Sequence, residues 1–216
     1  MIKPDKNKQD LFFCVAKSLI GTIPLCGTAI NEIINLTVSD LRMNRIYDFL
    51  IYLNDKIEDQ KERIDHFQQN IKSEEGLDIF EEGIIQASRA ISNERKKRLA
   101  YLVANSLTSN ELKYAESRKL LNIYNELTDP EIIWLIYYSL NPVLGKGPHS
   151  LWVEKHPDVL KPISKEIGVS KEQLEKGALQ DSYRLTLCRL NLTKKNGNTT
   201  TITTLGQLMI RYIDDK

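Results

Sequence analysis

With 216 residues the chain is long enough for one large or two small domains, and it can bury a core without disulfide staples. Its 41% hydrophobic and 27% charged composition is that of an ordinary soluble globular protein, and a net charge of +1 excludes a global electrostatic pull toward nucleic acid or membrane. Cys14, Cys26 and Cys188 are widely spaced among apolar neighbours, so they read as reduced thiols of a cytoplasmic protein; no Cys or His stands at ligand spacing from another, and neither a metal nor another cofactor is expected.

Residues 1–10 are polar, with Lys3, Lys6 and Lys8 around Pro4 and Asp5, and read as a flexible terminus. Residues 11–36 are unusually apolar, interrupted by Lys17 and Glu32. Asp5 and Asp10 weaken the basic start that a secretory signal needs, and no clear small-x-small cleavage site follows. The uncharged run 18–31 is 14 residues long, short of the roughly 20 of a spanning helix, and it holds Gly21, Pro24 and Gly27. It reads as the inner helix of a bundle, kinked at Pro24, or as a hairpin able to leave the bundle and contact a membrane.

Between positions 46 and 71, alternating steps of four and three place Ile46, Leu50, Leu53, Ile57, Gln60, Ile64, Phe67 and Ile71 on one seam of a and d positions with one polar member. Charges of both signs fill the positions between. The pattern predicts one amphipathic helix over about 41–72, capped by Thr37, Ser39 or Asp40 and spanning ~40 Å from 46 to 71. Such a seam needs a partner. Either other helices of the same chain cover it, or it is an oligomerisation surface whose register Gln60 fixes.

Gly76, after Ser73, Glu74 and Glu75, is expected to end that helix as a left-handed residue. A helix over 77–92 follows, apolar at Phe80, Ile84, Ala87 and Ile91, and another starts at Asn93 and carries Leu99, Leu102, Val103 and Leu107. Arg95, Lys96, Lys97 and Arg98 form the densest basic cluster, which reads as a solvated face, with nucleic acid or the nearby Glu81 and Glu82 as the alternative partners. The next helix holds Leu112, Leu120, Leu121, Ile123, Tyr124 and Leu127.

Thr128, Asp129, Pro130 and Glu131 form a compact start signal for the apolar helix 132–140, with Trp134, Tyr137 and Tyr138. Residues 141–169 read as a long inserted loop punctuated by Pro148, Pro157 and Pro162. Its Gly145, Lys146 and Gly147 lack the earlier glycine and the following hydroxyl of a phosphate loop, and His149 and His156 have no carboxylate or cysteine partner in register. Ser170 and Gln173 stand at capping-box spacing ahead of a helix to about 190, with Leu174, Leu179, Tyr183, Leu187 and Leu190 expected inward. Two β-rich runs joined through Asn196 and Gly197 and a last helix over 207–213 complete the chain.

This order of helix, hairpin and helix, with the run from Leu187 to Leu192 before the hairpin and Thr203, Thr204, Leu205 and Gly206 after it, resembles the winged-helix fold. The resemblance implies that the outer face of the long helix enters a major groove while the hairpin touches the backbone. Gln180, Arg184 and Arg189 on the helix and Lys194, Lys195, Asn196 and Asn198 on the wing are then the nucleic-acid-binding candidates. Residues 182–213 hold five basic and no acidic side chains, enough for a modest, salt-sensitive phosphate affinity. Protein docking is the other use of such a module.

Over residues 15–140, the apolar glycine-containing start, the 46–71 helix, the run from Arg98 to Ala104 and the run from Leu127 to Leu135 resemble the alpha-type abortive-infection family of small helical bacterial proteins. That resemblance implies a cytoplasmic antiphage or prophage-borne protein without a described catalytic site. The expectation is a mostly α chain: a helical bundle over 11–126 and a winged-helix-like domain with a small β-hairpin over 127–216. Its expected function is non-enzymatic defence, with self-association or a helical protein partner and docking onto DNA or protein. The alternatives are a membrane-acting toxin using 11–36, a transcription regulator of a mobile element, and an enzyme such as a nuclease, the last disfavoured because no paired acidic motif or histidine constellation converges.

Overall fold

A computed structural model of the chain describes residues 40–58, 61–141, 147–163, 170–197 and 199–214. The apolar segment 11–36, Thr37, Ser39, Gln60 and Asn198 lie outside these residues. The chain is mostly helical and divides into two units, one of residues 1–125 and 212–216, the other of residues 126–211. Among the described residues no helix is long and apolar enough to cross a membrane.

The helices of the first unit are α1 (Asp40–Glu58), α2 (Lys61–Asn70), α3 (Glu74–Arg89), α4 (Asn93–Leu107) and α5 (Tyr114–Glu126). The 46–71 seam is shared between α1 and α2, and it is covered from within the chain. α1 lies along α3 and α4, which buries Ile46, Leu50, Leu53 and Ile57; Phe67 and Ile71 are buried in the same core, and Ile64 is half-buried. Phe67 meets Phe80 of α3 edge to face, with ring centroids 6.3 Å apart. At Gly83 a Cβ would stand 2.7 Å from Val103 Cγ2 and 3.3 Å from Phe49 Cζ, so the close approach of three helices depends on the missing side chain.

The helix boundaries here depend on caps that differ from the sequence expectation. Ser73 Oγ accepts from Gly76 N–H at 3.0 Å and starts α3, so Gly76 lies inside a helix and is not a left-handed terminus. Its lack of a side chain serves contact, because a Cβ would stand 2.1 Å from Asn70 O. Likewise Ser92, one residue before Asn93, caps α4 by accepting from Arg95 N–H at 3.1 Å. The basic run that follows is not a solvated face. Lys96 is buried and pairs with Asp48 of α1 at 2.5 Å, Arg95 donates to Tyr124 O on α5 at 3.1 Å, Lys97 lies over the Tyr101 ring, and Arg98 pairs with Glu94.

The second unit consists of α6 (Asp129–Ser139), α7 (Pro148–Lys155), α8 (Pro157–Leu160), α9 (Lys171–Arg189), β1 (Thr193–Asn196), β2 (Thr199–Ile202) and α10 (Thr204–Ile213), whose last residues belong to the first unit. Glu131 Oε2 accepts from the Thr128 backbone N–H at 2.6 Å and from its hydroxyl at 2.8 Å, with Pro130 in the first turn, so α6 starts as expected. α6 is the centre of the unit and packs on α7, α8, α9 and β2, burying Ile132, Trp134, Leu135 and Ile136. The stretch expected as a loop over 141–169 contains α7 and α8. Pro148 and Pro157 stand in their first turns, where a missing N–H costs nothing, so the prolines begin helices. Trp152 Nε1 donates to Ile133 O at 3.1 Å, and His149 stacks on Tyr137 with centroids 4.3 Å apart.

The Ser170 and Gln173 box is formed and opens α9, whose inward line is Gly177, Gln180 and Leu187. Leu174 and Leu179, expected inward, are exposed at 52% and 54%. Positions 177, 180 and 187 take the inward side of the helix, and steps of about 100° per residue turn positions 174 and 179 away from it. α9 ends in a Schellman turn: Asn191 takes a φ of 57°, its N–H donates to Cys188 O at 3.0 Å, and Leu192 N–H donates to Leu187 O at 2.9 Å while both leucines are buried. The hairpin pairs Thr193 with Ile202 and Asn196 with Thr199. β1 therefore runs through Asn196, and the turn begins at Gly197, one position past the expected one, with a φ of 59°.

Two stability effects follow from these contacts. Asp48→Ala, which leaves the Lys96 ammonium buried, is expected to lower the free energy of unfolding by about 3 kcal/mol, whereas Lys96→Met, which leaves a carboxylate able to reach water, costs less; urea denaturation measures both. At Gly206 a Cβ would stand 2.2 Å from Leu192 O, so Gly206→Ala is expected to cost at least about 2 kcal/mol in the same measurement.

Candidate nucleic-acid interface

The candidate residues occupy α9 and the β-hairpin, two elements that the Schellman turn at Asn191 and the hydroxyl of Thr203 hold together. Thr203 N–H and Thr203 Oγ1 donate to Leu192 O at 3.0 and 3.1 Å, Thr203 Oγ1 lies 2.6 Å from Asn191 O, and Gly206 N–H donates to Thr203 Oγ1 at 3.1 Å. The end of α9, the hairpin and the start of α10 therefore share one polar junction.

On this frame the candidates separate into three groups. Gln180 is buried, and its Nε2 donates to Val159 O at 2.9 Å and Lys161 O at 3.0 Å, so it closes the end of α8 and is not on the outer face of α9. Arg184 is half-buried, pairs with Asp181, donates from Nε to Gln180 O at 3.3 Å and places its guanidinium carbon 5.4 Å from the centre of the Trp134 ring. Arg189 is exposed and donates to Glu126 Oε2 at 3.0 Å. Lys194, Lys195 and Asn196 stand exposed on β1.

The structure brings two candidates to one cavity. Arg184 and Lys195 line a hollow of about 450 Å³ between α9 and the hairpin, together with Asp181, Leu185, Cys188 and Thr200. Asp181 and Arg184, three residues apart, were legible as a helical ion pair; Thr200 and Leu185 gave no chemical signal in the sequence. Cys188 Sγ lies 3.3 Å from Thr193 Oγ1 and is a free cysteine. Tyr138, hydrogen-bonded to Thr200 of the lining, is pushed above the usual phenol range, mainly by burial, with that hydrogen bond acting in the opposite direction. Among the described residues no three His, Cys, Asp or Glu side chains are grouped to hold a metal ion.

The outer face of α9 carries a different chemistry from the one expected. Leu174, Leu179 and Leu185 are exposed, the last at 69%, with Ala178 and Ser182 exposed among them. No protein-family model, curated protein or solved structure matches the chain.

Because Gln180 satisfies two backbone carbonyls, Gln180→Ala is expected to lower the stability of the second unit by about 1–3 kcal/mol, read as a lower thermal midpoint.

Proposed function

We propose that this is a non-enzymatic protein whose second unit, in the manner of a winged helix, docks a protein partner while the first unit serves as its helical scaffold. The setting that fits is antiphage defence, as the resemblance of residues 15–140 to the alpha-type abortive-infection family implies. The reading rests on the outer face of α9. A helix that reads a major groove presents polar side chains to base edges and cations to phosphates, whereas this one sets Leu174, Leu179 and Leu185 among its exposed polar side chains. Exposed apolar side chains grouped on one helix are the usual mark of a protein contact.

Charge supports the same choice. Arg184 and Arg189 are each paired with a carboxylate, which leaves Lys194 and Lys195 of the helix and wing candidates to meet phosphates. Two phosphate contacts give a salt slope of about −2, where strong duplex binding draws on roughly six to ten.

Fluorescence anisotropy of labelled duplex DNA across a salt series tests the reading, with wild type beside Lys194→Ala/Lys195→Ala and Arg184→Ala. Weak binding confined to low salt, with a slope near 2 and lost in the lysine variant, is the expected outcome. Binding that persists at physiological salt with a slope of six or more and that falls in Arg184→Ala would replace protein docking by DNA reading.

A further inference from the structure

We infer that the partner of the α9 outer face is a second copy of the chain, docked antiparallel along α9 about a two-fold axis at Ser182; this rests on the protein-docking reading above. α9 turns about 100° per residue, which gathers Glu175, Leu179, Ser182, Leu185 and Arg189 on one side of the helix. Ser182, Glu175 and Arg189 are exposed, and Leu179 and Leu185 are exposed at 54% and 69%.

This side is its own complement when read backwards. Leu179 precedes Ser182 by three residues and Leu185 follows it by three; Glu175 precedes it by seven and Arg189 follows it by seven. A two-fold axis at Ser182, perpendicular to antiparallel helices, therefore brings Glu175 of each copy beside Arg189 of the other, about 10 Å to either side of the axis. Leu179 and Leu185 of both copies then run along the two edges of the contact and exclude water from it. Charge decides the direction. A parallel pair in register would set Glu175 against Glu175 and Arg189 against Arg189, two repulsions in place of two attractions.

Glu175 pairs with Lys171 through Oε1 at 3.7 Å, which leaves Oε2, and the existing pair of Arg189 with Glu126 is likewise compatible with this arrangement. Glu126 takes one Nη, and a guanidinium has five N–H donors, so a second carboxylate binds without displacing the first. The 46–71 seam, by contrast, offers no comparable surface, since Ile46, Leu50, Leu53, Ile57, Phe67 and Ile71 are buried in the first unit.

Sedimentation equilibrium of the full chain over the micromolar range tests the inference, with circular dichroism confirming that each variant is folded. Wild type is expected to dimerise. Leu185→Glu and Glu175→Arg are expected to weaken the dimer at least about tenfold, and the charge-reversed Glu175→Arg/Arg189→Glu is expected to recover most of that loss. A wild-type chain that stays monomeric throughout, or a dimer that none of these substitutions weakens, overturns it. Either result leaves the protein-docking reading to stand or fall on the salt series alone, since that experiment reads DNA affinity and not self-association.

Discussion

The stripe of Ile46, Phe49, Leu50, Leu53 and Ile57 on α1 is buried to within 1% of completeness because α3 and α4 approach it without a gap, and the bare backbone at Gly83 permits that approach. Each such side chain contributes about 1.5–3 kcal/mol on burial, so the stripe alone is comparable in gross terms to the whole net stability of a domain. The polar contacts of the first unit are arranged around it. Lys96 pairs with Asp48 in the same layer and so fixes the rotation of α4 against α1. Gln86 Nε2 donates to Leu121 O at 3.1 Å, while Arg95 and Tyr124 exchange hydrogen bonds of 3.1 and 3.0 Å across α4 and α5. Lys96, Gln86 and Tyr124 would be costly to bury alone, and each is buried with a partner delivered by the apolar packing.

The second unit is held by a different economy, in which turns do as much as side chains. α9 has few apolar residues on its inward line, and Gly177 and Gln180 take positions where a bundle helix usually places Leu. What fixes it is the capping box at Ser170, the Schellman turn at Asn191 and the burial of Leu187 against α6 and of Leu192 just beyond the turn. Gly206 lets α10 begin directly against Leu192 O, which gives a physical reason for a glycine at the place where the sequence resembles the winged-helix ending. The inward face spends its space on backbone contact, and of the leucines of α9 Leu174, Leu179 and Leu185 are left to the outside while Leu187 is buried.

Elements with strict helical spacing or a proline start were legible in the sequence. Seam positions 46, 50, 53, 57, 67 and 71, the box at Thr128 and Glu131, the box at Ser170 and Gln173 and the hairpin lie where spacing and turn chemistry place them, the seam on two helices where one was expected and the turn of the hairpin starting one residue late. The misplaced elements share one cause, which is that local chemistry has two uses. Proline reads as loop punctuation or as a first-turn residue, and at Pro148 and Pro157 it is the latter. Glycine reads as a terminus or as a contact, and at Gly76 it is a contact with Asn70 O. Gln180 was unreadable for the same reason: a glutamine on a helix serves base recognition or carbonyl satisfaction equally well until its neighbours are placed.

The charge asymmetry of residues 182–213 shows how a window of sequence misstates an electrostatic surface. Two of its five cations appear uncompensated because the window opens one residue after Asp181 and far from Glu126. Those two carboxylates are the partners of Arg184 and Arg189, at separations of three and 63 residues. The basic run Arg95 to Arg98 was subject to the same error, since Asp48 lies 48 residues from Lys96 and Glu94 just outside the run. In both places some of the cations that look like a phosphate-binding surface along the chain, Lys96, Arg184 and Arg189 among them, are engaged by acids that folding delivers. What folding leaves exposed on α9 includes Leu174, Leu179 and Leu185 among charged side chains of both signs, and on the proposal above that face meets protein, with Glu175 and Arg189 setting the direction.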